Sequence, residues 1–242
     1  SEEKFSGGKD GSVIARYRKF DTLYSTKSIE IYDYKGNLLY NYEIRMDTND
    51  LFFHVTNDDK LIVLTTTGYL LTFFAGREVS RCKIIDQDVE VLDADFWDEG
   101  LVFLTKDKQL YYAPSFENAK HFQDFNSASQ LKDKMKVIPP KVDKPLTVLI
   151  TDGGGKVYVI KETGIKVVTI EEEPGFIANF SINTNYSLIA FLCNSNGSVV
   201  IVVTDIDLQI LVKAYPDRRD MIRQISWCGI ECPIITYEDS VN

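Results

Sequence analysis

The sequence predicts an all-β fold of repeated four-stranded antiparallel blades. Three observations carry that reading. Helical periodicity is almost absent from the 242 residues. Short β-rich runs alternate with polar turns along most of the chain. The stretch FFHVTNDDKLIVLTTTGYLLTFF from Phe52 aligns with DADFWDEGLVFLTKDKQLYYAPS from Asp93 at an offset of about 41 residues, the repeat length of a propeller blade. The fold class expected is therefore a β-propeller.

The elements follow in order. Ser28 to Tyr34 alternates at Ile29 and Ile31, and Lys35-Gly36-Asn37 turns the chain into Leu38 to Tyr42; Gly36 supplies the positive φ of a hairpin turn. The next unit reads Leu51 to Val55, Leu61 to Thr65, Tyr69 to Phe74 and Val79 to Ile84. Its turns are Asn57-Asp58-Asp59, Thr67-Gly68 and the connection opened by Gly76. A third unit reads Val89 to Phe96, Leu101 to Thr105 and Gln109 to Ala113. Asn118 to Val142 is rich in Lys and Asp and ends in Pro139-Pro140, so it is expected to be a long loop or insertion. Regularity resumes at Leu146 to Thr151, Lys156 to Ile160 and Ile165 to Ile170. It continues through Phe176 to Ile182, Tyr186 to Cys193, Ser198 to Asp205 and Leu208 to Lys213. Ile222 to Trp227 and Pro233 to Tyr237 open a further unit. The count is five units and a partial sixth at ~40 residues each. Residues 1–242 thus read as one propeller domain, partial, belonging to a larger ring.

Composition excludes several classes. Apolar residues make up 44% of the chain, enough for a sizeable core and too many for a disordered chain. No run reaches the roughly 18 apolar residues of a membrane span; Leu188 to Cys193 and Val199 to Val203 are short and strand-like. The net charge of −9 argues against nucleic acid as a partner. The basic groups Arg218-Arg219 and Lys132, Lys134 and Lys136 have the acidic neighbours Asp133, Asp217 and Asp220, and read as solvated surface. No secretory signal opens the chain, and four cysteines are too few for a disulfide-built secreted domain. A reducing, cytosolic setting fits. There the triplets at Asn179, Asn185 and Asn196 have no glycosylation meaning.

Each chemical candidate in the sequence has a plainer structural reading. Cys82 and Cys193 read as small core residues. Cys228 and Cys232, in Trp227-Cys228-Gly229-Ile230-Glu231-Cys232, have three intervening residues where a thioredoxin-type site needs two, and read as a hairpin with two packed thiols. Asp152-Gly153-Gly154-Gly155 precedes a strand, so it is a hairpin turn and not a phosphate cradle. His54 and His121, the only histidines, lack the company of a zinc site, and no nucleophile-elbow pattern accompanies them. Glu171-Glu172-Glu173, Asp86, Asp88, Asp93, Asp95, Asp205 and Asp207 could supply a glycosidase pair; the plainer reading is solvated loops. No calcium loop spacing appears. The expectation is therefore no catalytic, cofactor-binding or metal residues, no cofactor, and no enzyme.

Trp97-Asp98 is a lone pair of WD-repeat type, read as lying in a turn and not ending a strand, so that dialect is not supported. A different resemblance spans the chain in order. GGKDGSVIARYRKF (Gly7 to Phe20) and KSIEIYDYKGNLLYNYEI (Lys27 to Ile44) resemble the opening of the vacuolar protein sorting-associated protein 16 family. DLFFHVTNDDKLIVLTTTGYLL (Asp50 to Leu71) resembles its second blade. FWDEGLVFLTKDKQLYY (Phe96 to Tyr112) resembles the third, with its Trp-x-x-Gly turn, and QISWCGIECPIITYED (Gln224 to Asp239) its Trp-Cys-Gly segment. The resemblance does not extend over Asn118 to Val142.

The resemblance implies a non-catalytic scaffold domain of a subunit of the endolysosomal tethering complexes HOPS and CORVET, acting in vesicle fusion and vacuolar or lysosomal protein transport. It implies an α-solenoid after residue 242, where a Sec1/Munc18-type partner would bind, with SNAREs engaged indirectly. Localisation would be cytoplasmic, and peripheral on late endosome, vacuole or lysosome membranes through partners. It assigns no partner-binding residue within residues 1–242. Two other readings stand beside it: a propeller-fold hydrolase using rim carboxylates, and another propeller-solenoid coat or tether protein.

Overall fold

A computed structural model describes residues 3–7, 12–18, 27–46, 50–125, 135–141, 143–151, 154–170, 175–195, 198–216 and 222–237. All regular structure among them is β. The chain divides into two compact units, residues 1–125 and 126–242.

The first unit holds three four-stranded antiparallel sheets. Blade one is β1 (Glu3–Gly7), β2 (Val13–Arg18), β3 (Lys27–Asp33) and β4 (Leu38–Ile44). Blade two is β5 (Leu51–Val55), β6 (Leu61–Thr65), β7 (Tyr69–Phe74) and β8 (Arg77–Lys83). Blade three is β9 (Val91–Trp97), β10 (Gly100–Thr105), β11 (Gln109–Pro114) and β12 (Lys120–Asp124). The second unit holds two more such sheets and a two-stranded one. They are β13 (Met135–Ile138), β14 (Thr147–Thr151), β15 (Lys156–Lys161) and β16 (Gly164–Thr169); β17 (Gly175–Ile182), β18 (Leu188–Ser195), β19 (Ser198–Asp205) and β20 (Ile210–Ala214); and β21 (Ile222–Cys228) with β22 (Cys232–Tyr237). Strands pair in chain order within every sheet, the up-and-down pattern of a propeller-like fold.

Position within a blade dictates composition. The second strands β6 (LIVLT), β10 (GLVFLT) and β14 (TVLIT) are buried along their whole length, so they read as continuous apolar runs. The fourth strands β8 (REVSRCK) and β20 (ILVKA) are exposed almost throughout. The cores lie between blades. Tyr17, Ile29 and Ile31 of blade one pack with Leu61, Val63 and Leu71 of blade two. Ile62 and Leu64 pack with Leu101 and Phe103 of blade three. In the second unit, Leu149 and Val157 share a cluster with Phe180 and Phe191.

Six tight turns repeat one design. The side chain of Asp33, Thr56, Thr65, Thr105, Asn183 or Asp205 accepts a hydrogen bond from the backbone N–H four residues on. Its carbonyl accepts from the N–H three residues on. The fourth residue then sits in the left-handed region: Gly36, Asp59, Gly68, Lys108, Tyr186 and Leu208 have φ between 58 and 85°. Short Asp, Asn and Thr side chains suit this because they bridge their own backbone.

The structure corrects several expectations. Asn118 to Val142 is not a plain loop or insertion: it supplies β12 and β13, one strand to each flanking blade. Its residues 126–134 and 142 lie outside the described residues. The error has a physical cause. β12 is an outer strand, burying only Phe122 of its five residues, and β13 is four residues long. Neither carries enough alternation to be read. The polar opening of the chain also contributes β1, paired with β2 from Glu3 opposite Arg18 to Gly7 opposite Ile14. Trp97 is not in a turn; it is the last residue of β9, opposite Gly100.

Candidate functional site

Within the first unit, neighbouring blades are tied at their inner strands. The Lys4 ammonium lies 3.1 Å from Asp50 Oδ1 and 5.2 Å from the centroid of the Phe52 ring. Asp50 is only 5% exposed, so the pair neutralises a charge that burial would otherwise penalise. Ser6 Oγ accepts from the Val55 N–H at 3.2 Å. The Asp98 carboxylate accepts from the Asn57 backbone N–H at 2.5 Å and from Asn57 Nδ2 at 2.7 Å.

The outer strands of blades one and two leave two clefts around one tyrosine. Tyr42 is buried, its ring 4.8 Å from that of Phe73, and its hydroxyl accepts the Gly76 N–H at 3.0 Å. Burial raises the pKa of this phenol, with the Gly76 N–H pulling the other way. On one side is a cleft of about 260 Å³, walled by Val13, Leu39, Tyr40, Leu61 and Phe74, with Asp59 the one charged group among its described lining residues. On the other is a cleft of about 450 Å³ whose charges are internally matched: Arg45 with Glu43 at 2.9 Å, and Arg81 with Glu78 at 2.7 Å.

The candidate residues that the sequence offers do not converge on either cleft among the described residues. His54 is stacked on Phe96, with ring centroids 5.9 Å apart. Burial lowers its pKa, opposed by the Asp95 and Asp98 carboxylates. His121 is half exposed and bonds Asp124 at 2.9 Å. Asp88 pairs with Lys83 at 2.6 Å. Asp93 is buried and accepts the Ala94 N–H; Asp205 holds its own turn; Asp86 and Asp207 are exposed. Among the described residues, no group of three or more His, Cys, Asp or Glu side chains could hold a metal ion. Asp152, Gly153, Glu171 to Glu173, Asn196, Lys132 to Lys134 and Asp217 to Asp220 lie outside the described residues; Lys136 lies on β13.

In the second unit the Trp-Cys-Gly segment turns out to be an anchor. Trp227 Nε1 donates to the Ser181 carbonyl at 3.1 Å, and Asn183 Nδ2 donates to the Ile230 carbonyl at 2.7 Å. The Ile225 N–H reaches Asn179 Oδ1 at 3.4 Å. β21–Gly229–Ile230–Glu231–β22 is a hairpin, as expected, but its thiols are not packed: Cys228 and Cys232 are both exposed. Cys193 is buried as expected, whereas Cys82 is exposed on the outer strand β8 and is not a core residue. In this unit Asn179 reads in sequence only as a glycosylation triplet, and nothing local singles out Asn183, because their partners lie 46 and 47 residues away.

These observations define a propeller-like all-β protein in which many described polar side chains are engaged in turns, ion pairs and inter-blade links. The chain belongs to the Vps16 N-terminal region family: the family model "Vps16, N-terminal region" matches residues 13–242. That makes it a vacuolar sorting protein of the Vps16 type. No curated protein matches the chain significantly.

Proposed function

We propose that this chain is a non-catalytic interaction and scaffold domain of a subunit of the HOPS and CORVET tethering complexes. In this reading it acts peripherally on late endosome, vacuole or lysosome membranes, reached through partner proteins. The match over residues 13–242 carries the reading. The use of the carboxylates supports it: Asp33, Asp98 and Asp205 hold turns or inter-blade links, and Asp58 and Asp88 are paired with Lys60 and Lys83 at the surface. A rigid repeat scaffold with variable loops suits protein docking. A net charge of −9 disfavours direct binding to anionic lipid. A Sec1/Munc18-type protein would be a partner of the same complex, engaged through an α-solenoid beyond residue 242, and SNAREs would be reached through it.

The test is affinity purification of the whole protein from its native cells, with and without residues 13–242. Recovery of other propeller-solenoid subunits and a Sec1/Munc18-type protein supports the assignment. Loss of a subset on removal of the domain assigns those contacts to it. Recovery of an unrelated set of proteins overturns the tethering role.

A further inference from the structure

We propose that Cys228 and Cys232 form a reversible oxidation site, closing as a cross-strand disulfide at the tip of the β21–β22 hairpin. The two residues are direct Cα partners in the antiparallel register, so their side chains leave the same face of the hairpin. Both are exposed.

The hydrogen-bonding phase of the pair follows from two neighbours. Trp227 faces Pro233, which has no N–H to exchange, so theirs is a non-hydrogen-bonded pair. The Ile225 N–H points away from β22, to Asn179 on β17, which gives Ile225 and Ile235 the same phase two residues back. Pairs alternate, so Cys228 and Cys232 occupy a hydrogen-bonded position with Cα atoms about 5.5 Å apart. That Cα separation lies inside the roughly 4.4–6.8 Å a disulfide spans. The Cβ atoms of a hydrogen-bonded pair stand about 5.5 Å apart, beyond the roughly 3.5–4.5 Å of a relaxed disulfide, so this bond closes under strain and is the more easily reduced. The tip is also held: Trp227 bonds Ser181 and Asn183 bonds Ile230, so the thiols keep their mutual placement.

The chemistry needs a disulfide oxidant such as glutathione disulfide. One cysteine thiolate attacks an oxidant sulfur, forming a mixed disulfide and releasing one glutathione thiolate. The second cysteine thiolate attacks the protein sulfur of that mixed disulfide and releases the other glutathione. The protein loses two electrons and two thiol protons, and one glutathione disulfide becomes two glutathiones. An exposed disulfide of this kind is readily reduced again by the same exchange.

The experiment treats the whole chain with glutathione disulfide, blocks free thiols by alkylation, and maps peptides without reduction. The expected product is an internal Cys228–Cys232 bond, reversed by dithiothreitol, with the buried Cys193 still alkylatable after unfolding. In Cys228→Ser, glutathione should accumulate on Cys232 by about tenfold over the native chain, because the intramolecular resolving thiol is gone. Cys82→Ser should leave the internal bond unchanged. Two separate glutathione adducts on the native chain, disulfide-linked dimers through these residues, or free alkylation of both thiols would each overturn the proposal.

Discussion

Asp98 grips Asn57, and the two are 41 residues apart: one carboxylate accepts both the backbone and the side-chain N–H of its counterpart one blade earlier. The separation equals the repeat offset, so equivalent turns of successive blades bind each other. Asp98→Ala should lower stability by about 1 kcal/mol, the value of one such hydrogen-bonded link at the surface. Urea unfolding of the native and variant chains would measure it. An unchanged midpoint would show that the link is not carried into solution.

Gly100 should tolerate no side chain. A Cβ there would stand 2.4 Å from Trp97 Cζ2 and 2.6 Å from the Ala113 carbonyl oxygen. Gly100→Ala is expected to cost roughly 2–3 kcal/mol through overpacking. Trp97 fluorescence should shift toward that of a water-exposed indole as the ring is displaced. The Trp-x-x-Gly spacing thus records a packing requirement.

A gain is expected at the β7–β8 turn. Ala75 and Gly76 both have positive φ, 47° and 82°, the pattern of a two-residue hairpin turn for which Asn-Gly is preferred. Ala75→Asn should stabilise by about 0.5–1 kcal/mol, because Asn adopts the left-handed region at lower cost. Thermal unfolding would show a higher midpoint. Gly76→Ala should do the reverse, since its Cβ would meet the Tyr40 ring at 3.1 Å.

His54 predicts a pH dependence. Burial lowers its pKa below the ordinary 6.5, so the unfolded chain binds the proton more readily than the folded one. Its stabilising contribution is complete above about pH 6.5 and is lost as pH falls through the lower folded value. His54→Phe keeps a ring against Phe96 and removes the titration. Between pH 7.5 and 5.5 the native chain should lose more stability than the variant. Parallel losses would assign the effect elsewhere.

Residue pattern alone determined the blade repeat, most strand positions and the turns. Strands such as β6 and β10 are covered on both faces, and that burial is written as uninterrupted apolar sequence. Four of the six turns, those begun by Asp33, Thr56, Thr65 and Thr105, are written as a short polar residue followed three positions later by Gly or a polar residue in the left-handed region; at Tyr186 and Leu208 the apolar side chain reads as the start of a strand that begins two residues later. The likeness to the Vps16 family was legible in the same text, and the match over residues 13–242 bears it out. Tertiary structure decided what depends on a distant partner. β12 and β13 carry weak local signals and become strands because β11 and β14 offer them free edges. Cys82 and Cys193 both sit in strands, but only Cys193 lies on a second strand with blades on both faces. Asp98 and Trp227 were readable as a turn acid and an apolar ring; their work as inter-blade ties depends on residues 41 and 46 positions away. Local sequence encodes the free energy of a strand or a turn. A bond between blades exists only once two such elements have been brought side by side.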